Sequence, residues 1–87
     1  MTTVVNLRKE PYDVYIGRGS KWGNPYVIGR DGTRFEVVRK YQTYLYNNPQ
    51  LLESLLEREG KRLGCYCAPK LCHGNILIEA LIERGLE

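Results

Sequence analysis

Apolar residues run along this chain in two rhythms, and the switches between them predict its elements. Thr2-Thr3-Val4-Val5-Asn6-Leu7 is rich in β-branched residues and reads as a first strand, ended by Pro11. Tyr12-Asp13-Val14-Tyr15-Ile16 alternates and reads as a second strand running into Gly17. Tyr26-Val27-Ile28 reads as a short strand, with a turn at Asp31-Gly32. The period then becomes helical. Thr33 with Glu36 three positions on has the spacing of a capping box, and Phe35, Val38, Tyr41 and Leu45 fall on one face behind it. Asn48-Pro49 predicts a second helix, Asn as the cap and Pro in the first turn. Leu51, Leu52, Leu55 and Leu56 give it an apolar stripe, and Gly60 stops it. Lys61 to Cys67 returns to strand character. A last helix starting near Cys72 turns Ile76, Leu77, Ala80 and Leu81 inward until Gly85.

This order predicts a single domain over residues 1–87. Its class is α/β: a small two-layer or three-layer, Rossmann-like domain with a short, mostly parallel sheet and about three helices. In open α/β sheets ligands gather at the carboxyl ends of the strands. Two chemically dense blocks both follow predicted strands, so both are expected on that edge.

The first block is Gly64-Cys65-Tyr66-Cys67-Ala68-Pro69-Lys70-Leu71-Cys72-His73-Gly74. It holds all three cysteines and the only histidine. Cys65, Cys67, Cys72 and His73 are the donor types of a structural zinc site, which makes zinc the one cofactor the sequence supports. If Cys65 and Cys67 share a regular strand they face the same side, whereas adjacent Cys72 and His73 diverge on a helix. A second reading puts Cys72 and His73 at a helix start, where backbone N–H groups and the dipole attract anions. A third makes Cys72 a thiol nucleophile aided by His73, the candidate catalytic pair. For Cys65 a plain core role also fits.

The second block runs from Tyr15 to Pro25. Gly17-Arg18-Gly19-Ser20 lets backbone N–H groups approach a ligand, and Arg18 can fork onto a phosphate. Trp22 has two readings, a base-stacking platform or a core plug. Asn24 offers a donor and an acceptor to a base edge. Tyr12, Tyr15 and Tyr26 flank the block.

The net charge of +3 is mild, but residues 1–30 hold Arg8, Lys9, Arg18, Lys21 and Arg30 against Glu10 and Asp13. That surplus sits with the glycine-rich loop, where an anionic ligand would want it, although charge alone fits an ordinary solvated surface better; nucleic acid is a secondary partner. A 43% hydrophobic content builds only a thin core, which leaves a homodimer open. No signal peptide or bilayer-length apolar run is evident, so no membrane partner is expected. An odd cysteine count argues for reduced thiols and a cytoplasmic setting.

Val5-Asn6-Leu7-Arg8, Tyr15-Ile16-Gly17-Arg18, Trp22-Gly23-Asn24-Pro25, Leu63-Gly64-Cys65-Tyr66-Cys67 and Cys72-His73-Gly74 together closely resemble a small, mostly phage-encoded family, domain of unknown function 4326. The matching positions are Asn6, Gly17, Arg18, Ser20, Trp22, Gly23, Asn24 and Pro25, then Cys65, Cys67, Pro69, Cys72, His73 and Gly74. Gly19 departs from the proline expected there. The resemblance implies a phage protein in the cytoplasm of an infected bacterium, and it implies no activity. A fainter resemblance to family 488, which opens a helix with Cys-His-Arg where this chain has Cys72-His73-Gly74, implies a ligand-facing Cys-His step.

The expected function is therefore to bind, and thereby sequester or process, a nucleotide or ADP-ribose-like ligand. The expected site residues are Asn6, Gly17, Arg18, Ser20, Trp22, Asn24, Cys72, His73 and Gly74. The alternatives are a zinc-stabilised module contacting nucleic acid or a host protein, with Cys65, Cys67, Cys72 and His73 as ligands, and a Cys72/His73 thiol enzyme.

Overall fold

Three short strands, Thr3–Asn6 (β1), Val14–Tyr15 (β2) and Arg62–Cys65 (β3), form a parallel sheet in the order β1-β3-β2. The computed structural model describes residues 1–85. Its helices are Arg34–Tyr46 (α1), Pro49–Leu55 (α2) and His73–Glu83 (α3), with a 3-10 turn at Leu56–Arg58 after α2. The expected α/β class with a parallel sheet is what the chain adopts. Among the described residues no helix is long and apolar enough to cross a membrane.

The register explains the two faces of the sheet. Val4 and Val14 both pair with Leu63, and Val5 and Tyr15 both pair with Gly64. Side chains alternate along a strand, so Val4, Leu63 and Val14 share one face and Val5, Gly64 and Tyr15 the other. Helix α3 lies on the first face. A Cβ added at Gly74 would stand 2.8 Å from a Val4 methyl and 2.9 Å from Cδ1 of Ile16, so only glycine lets the helix come this close. The other face is crossed by the β1–β2 connection, whose Tyr12 ring lies on Gly64. A Cβ at Gly64 would meet that ring at 2.6 Å.

The core fills the space between sheet and helices. Tyr41 and Leu45 of α1, Leu52 and Leu55 of α2, and Leu77 and Leu81 of α3 are buried with Leu63 and Ile16. The capping box forms as its spacing predicts: Thr33 Oγ1 accepts from Glu36 N at 3.2 Å, and Glu36 Oε1 accepts from Thr33 N at 2.9 Å.

Several local expectations are corrected. Phe35 is 62% exposed, and Val37 takes its place on the buried face of α1. Residues 26–28 form no strand, because Asp31 captures the backbone there. Its Oδ2 accepts from Val27 N at 2.8 Å while its own N–H donates to Val27 O at 2.8 Å. Asn48 starts α2 without capping it, since its amide donates back to Tyr44 O at 2.9 Å. The third strand stops at Cys65, two residues short of Cys67.

Candidate functional site

The loop after β2 folds on itself. Ile16 N donates to Gly64 O at 3.0 Å, extending the pairing of β2 with β3 by one bond. The chain then turns at once: Gly17 O accepts from both Ser20 N, at 3.2 Å, and Ser20 Oγ, at 2.7 Å. Ser20 therefore shapes the loop, with its hydroxyl and N–H both turned inward to Gly17. Gly19 sits at φ +89°, a conformation glycine adopts without strain. The Tyr15 ring folds over Gly17, and its hydroxyl donates to Arg18 O at 2.9 Å.

Beyond the turn, Trp22 points into the protein. It is 3% exposed and belongs to the core cluster, and Tyr41 donates from its hydroxyl to Trp22 O at 2.7 Å. The plug reading of Trp22 holds, and the stacking role expected of it does not, because neither ring face is open to a base. Asn24 is likewise committed. Its Nδ2 donates to Val37 O at 3.1 Å and its Oδ1 accepts from Tyr26 N at 2.9 Å, so both ends are tied to the backbone and one N–H and one lone pair remain.

The cysteine block approaches from the β3 side. Asn6 holds its backbone: Nδ2 donates to Ala68 O at 3.0 Å while Oδ1 accepts from Arg8 N at 2.9 Å. Asn6 is thus a brace for the loop rather than a ligand contact, and Gly74 serves helix–sheet packing. Cys72 is the residue before the first turn of α3, and its N–H donates to Asn75 Oδ1 at 2.9 Å. The sulfurs of Cys65 and Cys72 touch at 3.4 Å, both buried. Their titrations are joined. The Cys65 thiol is held below the usual range, chiefly by the S–H of Cys72 and then by the Ala68 and Cys67 amides. Cys72 is pushed up, because it donates to Cys65 and is buried.

His73 closes the arrangement. Its Nε2 lies 2.6 Å from Ile16 O, and its ring meets the edge of Tyr41 at a centroid distance of 5.0 Å. Burial, helped by the charge of Arg18, lowers the His73 pKa below 6.5, so the imidazole is neutral at pH 7.

Between the two blocks and the start of α1 lies a cleft of about 240 Å³. Of the expected site residues, Gly17, Arg18, Asn24, Cys72 and His73 line it, and Cys67 joins them. Asn6, Ser20, Trp22 and Gly74 do not. Sequence reasoning missed Arg34, Tyr66 and Leu71, together with the wall formed by Val37 and Val38. Tyr66 is 54% exposed, and the Arg8 guanidinium lies 5.0 Å from its ring centre. Arg34 bonds to Leu71 O at 3.2 Å and Arg18 to Asn24 O at 3.3 Å, both neutral acceptors. Neither has a carboxylate partner among the described residues, where the ion pairs are Arg30–Asp31 and Arg62–Asp13. Among the described residues no Asp or Glu lines the cleft.

The zinc set is not assembled. Among the described residues no three His, Cys, Asp or Glu side chains gather as a metal site. The strand ends before Cys67 can share a face with Cys65, and His73 Nε2 is engaged with Ile16.

No solved structure matches the chain. It is similar to an uncharacterized 12.4 kDa protein in the nrdA-td intergenic region of Enterobacteria phage T4, 40% identical over 79 residues that cover 85% of this chain and 71% of the phage protein. Residues 3–83 match a family described as a domain of unknown function, DUF4326. With nearly its whole length inside that match, the chain belongs to this phage-represented family.

Proposed function

We propose that the cleft binds a small anionic aromatic ligand of the nucleotide type, and that the protein acts by holding or processing it. One observation carries this reading: Arg18 and Arg34 both line an apolar, tyrosine-rich cleft in which, among the described residues, no acid neutralises them. Guanidinium groups left without a carboxylate beside a low-dielectric wall attract an anion strongly, and their forked geometry suits phosphate. Tyr66 and Tyr26 supply the ring faces that Trp22 does not, and base–aromatic stacking contributes about 1–3 kcal/mol per base. Neutral His73 adds a polar group at the cleft floor without a competing charge. A volume of about 240 Å³ lies just under the usual range of roughly 300–1,000 Å³ for ligand pockets, which suits a mononucleotide better than a dinucleotide.

Thermal-shift measurement tests this directly. The panel comprises nucleoside monophosphates, diphosphates and ADP-ribose, with nucleosides and inorganic phosphate as separate arms. A ligand at ten times its Kd stabilises the protein by about 1.4 kcal/mol, a rise in Tm of about 6–11 °C for a domain of this size. The expected result is a rise with at least one nucleotide that exceeds those with its nucleoside and with phosphate. No rise with any nucleotide or with ADP-ribose at millimolar concentration overturns the reading.

A further inference from the structure

The ligand reading makes no use of the thiols at the β3–α3 junction. Cys65 is the last residue of β3 and Cys72 directly precedes α3, and folding brings their sulfurs to 3.4 Å across seven residues of sequence. A disulfide has a sulfur–sulfur length of about 2.05 Å, so bridging requires the two to approach by only about 1.4 Å. The two differ in access. Cys72 lines the cleft, and Cys65 lies behind it in the core. Cys67 also lines the cleft but is outside the sulfur–sulfur contact.

We propose that Cys65 and Cys72 form a two-electron redox pair that a hydroperoxide entering the cleft closes to a disulfide. The pair loses one proton first; the one that remains rests mainly on Cys72 and can cross the S–H···S contact, in which either sulfur can be the donor. When it resides on Cys65, the Cys72 thiolate attacks the O–O bond of the peroxide. The sulfur becomes a sulfenic acid, and the alkoxide leaves and takes a proton from water to become the alcohol. Cys65 then attacks the Cys72 sulfur. The S–O bond breaks, hydroxide leaves, and the Cys65 proton converts it to water. Two thiols and one hydroperoxide give one disulfide, one alcohol and one water, so the two electrons lost by sulfur are those gained by the O–O bond. A thiol reductant reverses the bridge by exchange.

Bridging moves Cys72 away from the cleft and draws the start of α3 toward β3. The cleft wall therefore differs between the reduced and oxidised protein, whatever ligand it holds.

Peptide mapping of the oxidised protein decides the matter. Reduced wild-type protein is exposed to hydrogen peroxide, its remaining thiols are alkylated, and the peptides are identified by mass spectrometry. The expected result is loss of two of the three thiols per chain, a Cys65–Cys72 bridge, an alkylated Cys67, and full recovery with dithiothreitol. The same bridge is expected in Cys67→Ser. A bridge that includes Cys67, a bridge between chains, or three alkylated thiols under conditions that oxidise free glutathione would overturn the proposal.

Discussion

His73 Nε2 sits 2.6 Å from Ile16 O, tying the first turn of α3 to the end of β2 across 57 residues of sequence. A carbonyl only accepts, so Nε2 carries the proton and Nδ1 the lone pair. Ile16 is also the residue whose N–H continues the pairing with β3, so this one contact holds the glycine-rich loop, the central strand and α3 together at the cleft floor.

That bond predicts a pH dependence of stability. Burial first, and Arg18 second, keep the folded His73 pKa below the value of 6.5 it has when unfolded. Below about pH 6.5 the unfolded chain binds a proton that the folded one does not, so stability is fully present above that pH and falls as pH drops. The carboxylates of Asp13, Asp31 and Glu36, held low by their hydrogen bonds, add losses only at more acid pH. Cys65 also has a lowered pKa and loses stability in the same direction, so the histidine is isolated by comparison with a variant. His73→Phe should cost about 1–3 kcal/mol at pH 7, because Ile16 O loses its partner. That cost should shrink between pH 6.5 and pH 5 in urea unfolding. An unchanged cost across that range counts against the neutral, buried imidazole.

Trp22 is the only tryptophan, which makes its placement readable by fluorescence. At 3% exposure its emission should be blue-shifted and poorly quenched by acrylamide. Adding a ligand that raises Tm should leave the quenching rate unchanged. Strong quenching in the free protein that a nucleotide suppresses would restore the stacking role withdrawn above.

How much of this was legible depends on range. The meeting of the two dense blocks could be read, because each follows a strand and parallel strands deliver their ends to one edge. The capping box at Thr33 and Glu36 could be read because it is local. Trp22 could not be settled, since its inward turn depends on the Tyr41 hydroxyl reaching Trp22 O from α1. Nor could the loss of a strand at 26–28, where Asp31 replaces a ladder partner with its own carboxylate. Arg34 did leave a sign that went unused: a cation in the first turn of a helix opposes the dipole, and such a misfit is expected where a ligand supplies the missing anion.

The crossing of Tyr12 over Gly64 makes a packing prediction. A methyl at position 64 would lie 2.6 Å from the Tyr12 ring, and the position is buried in the central strand. Gly64→Ala should therefore destabilise by about 1–3 kcal/mol through overpacking. Tyr12→Gly removes both the ring and the Cβ that would stand 2.9 Å from the new methyl, and Gly64→Ala added to it should cost much less than in the wild-type background. A double-mutant cycle by urea unfolding measures the coupling, and additive costs would mean that the connection does not cross the sheet at this point.

Arg18 and Arg34 should separate binding from stability. Each makes one hydrogen bond to a neutral carbonyl and no ion pair among the described residues, so truncation to alanine should change unfolding free energy by no more than about 0.5 kcal/mol. Each should weaken binding of a nucleotide identified by thermal shift by roughly 1.5–3 kcal/mol, about 10-fold to 150-fold, because a hydrogen-bonded charge facing the phosphate is lost. Lysine at either position keeps the charge but not the fork, so Arg18→Lys and Arg34→Lys should recover only part of the affinity. Titration calorimetry at two salt concentrations distinguishes this from a general surface effect. Removing an arginine that contacts the phosphate should flatten the salt dependence of Kd as well as raise Kd. Equal salt slopes for Arg34→Ala and the wild type would place Arg34 at the rim, leaving Arg18 as the sole anchor of the anion.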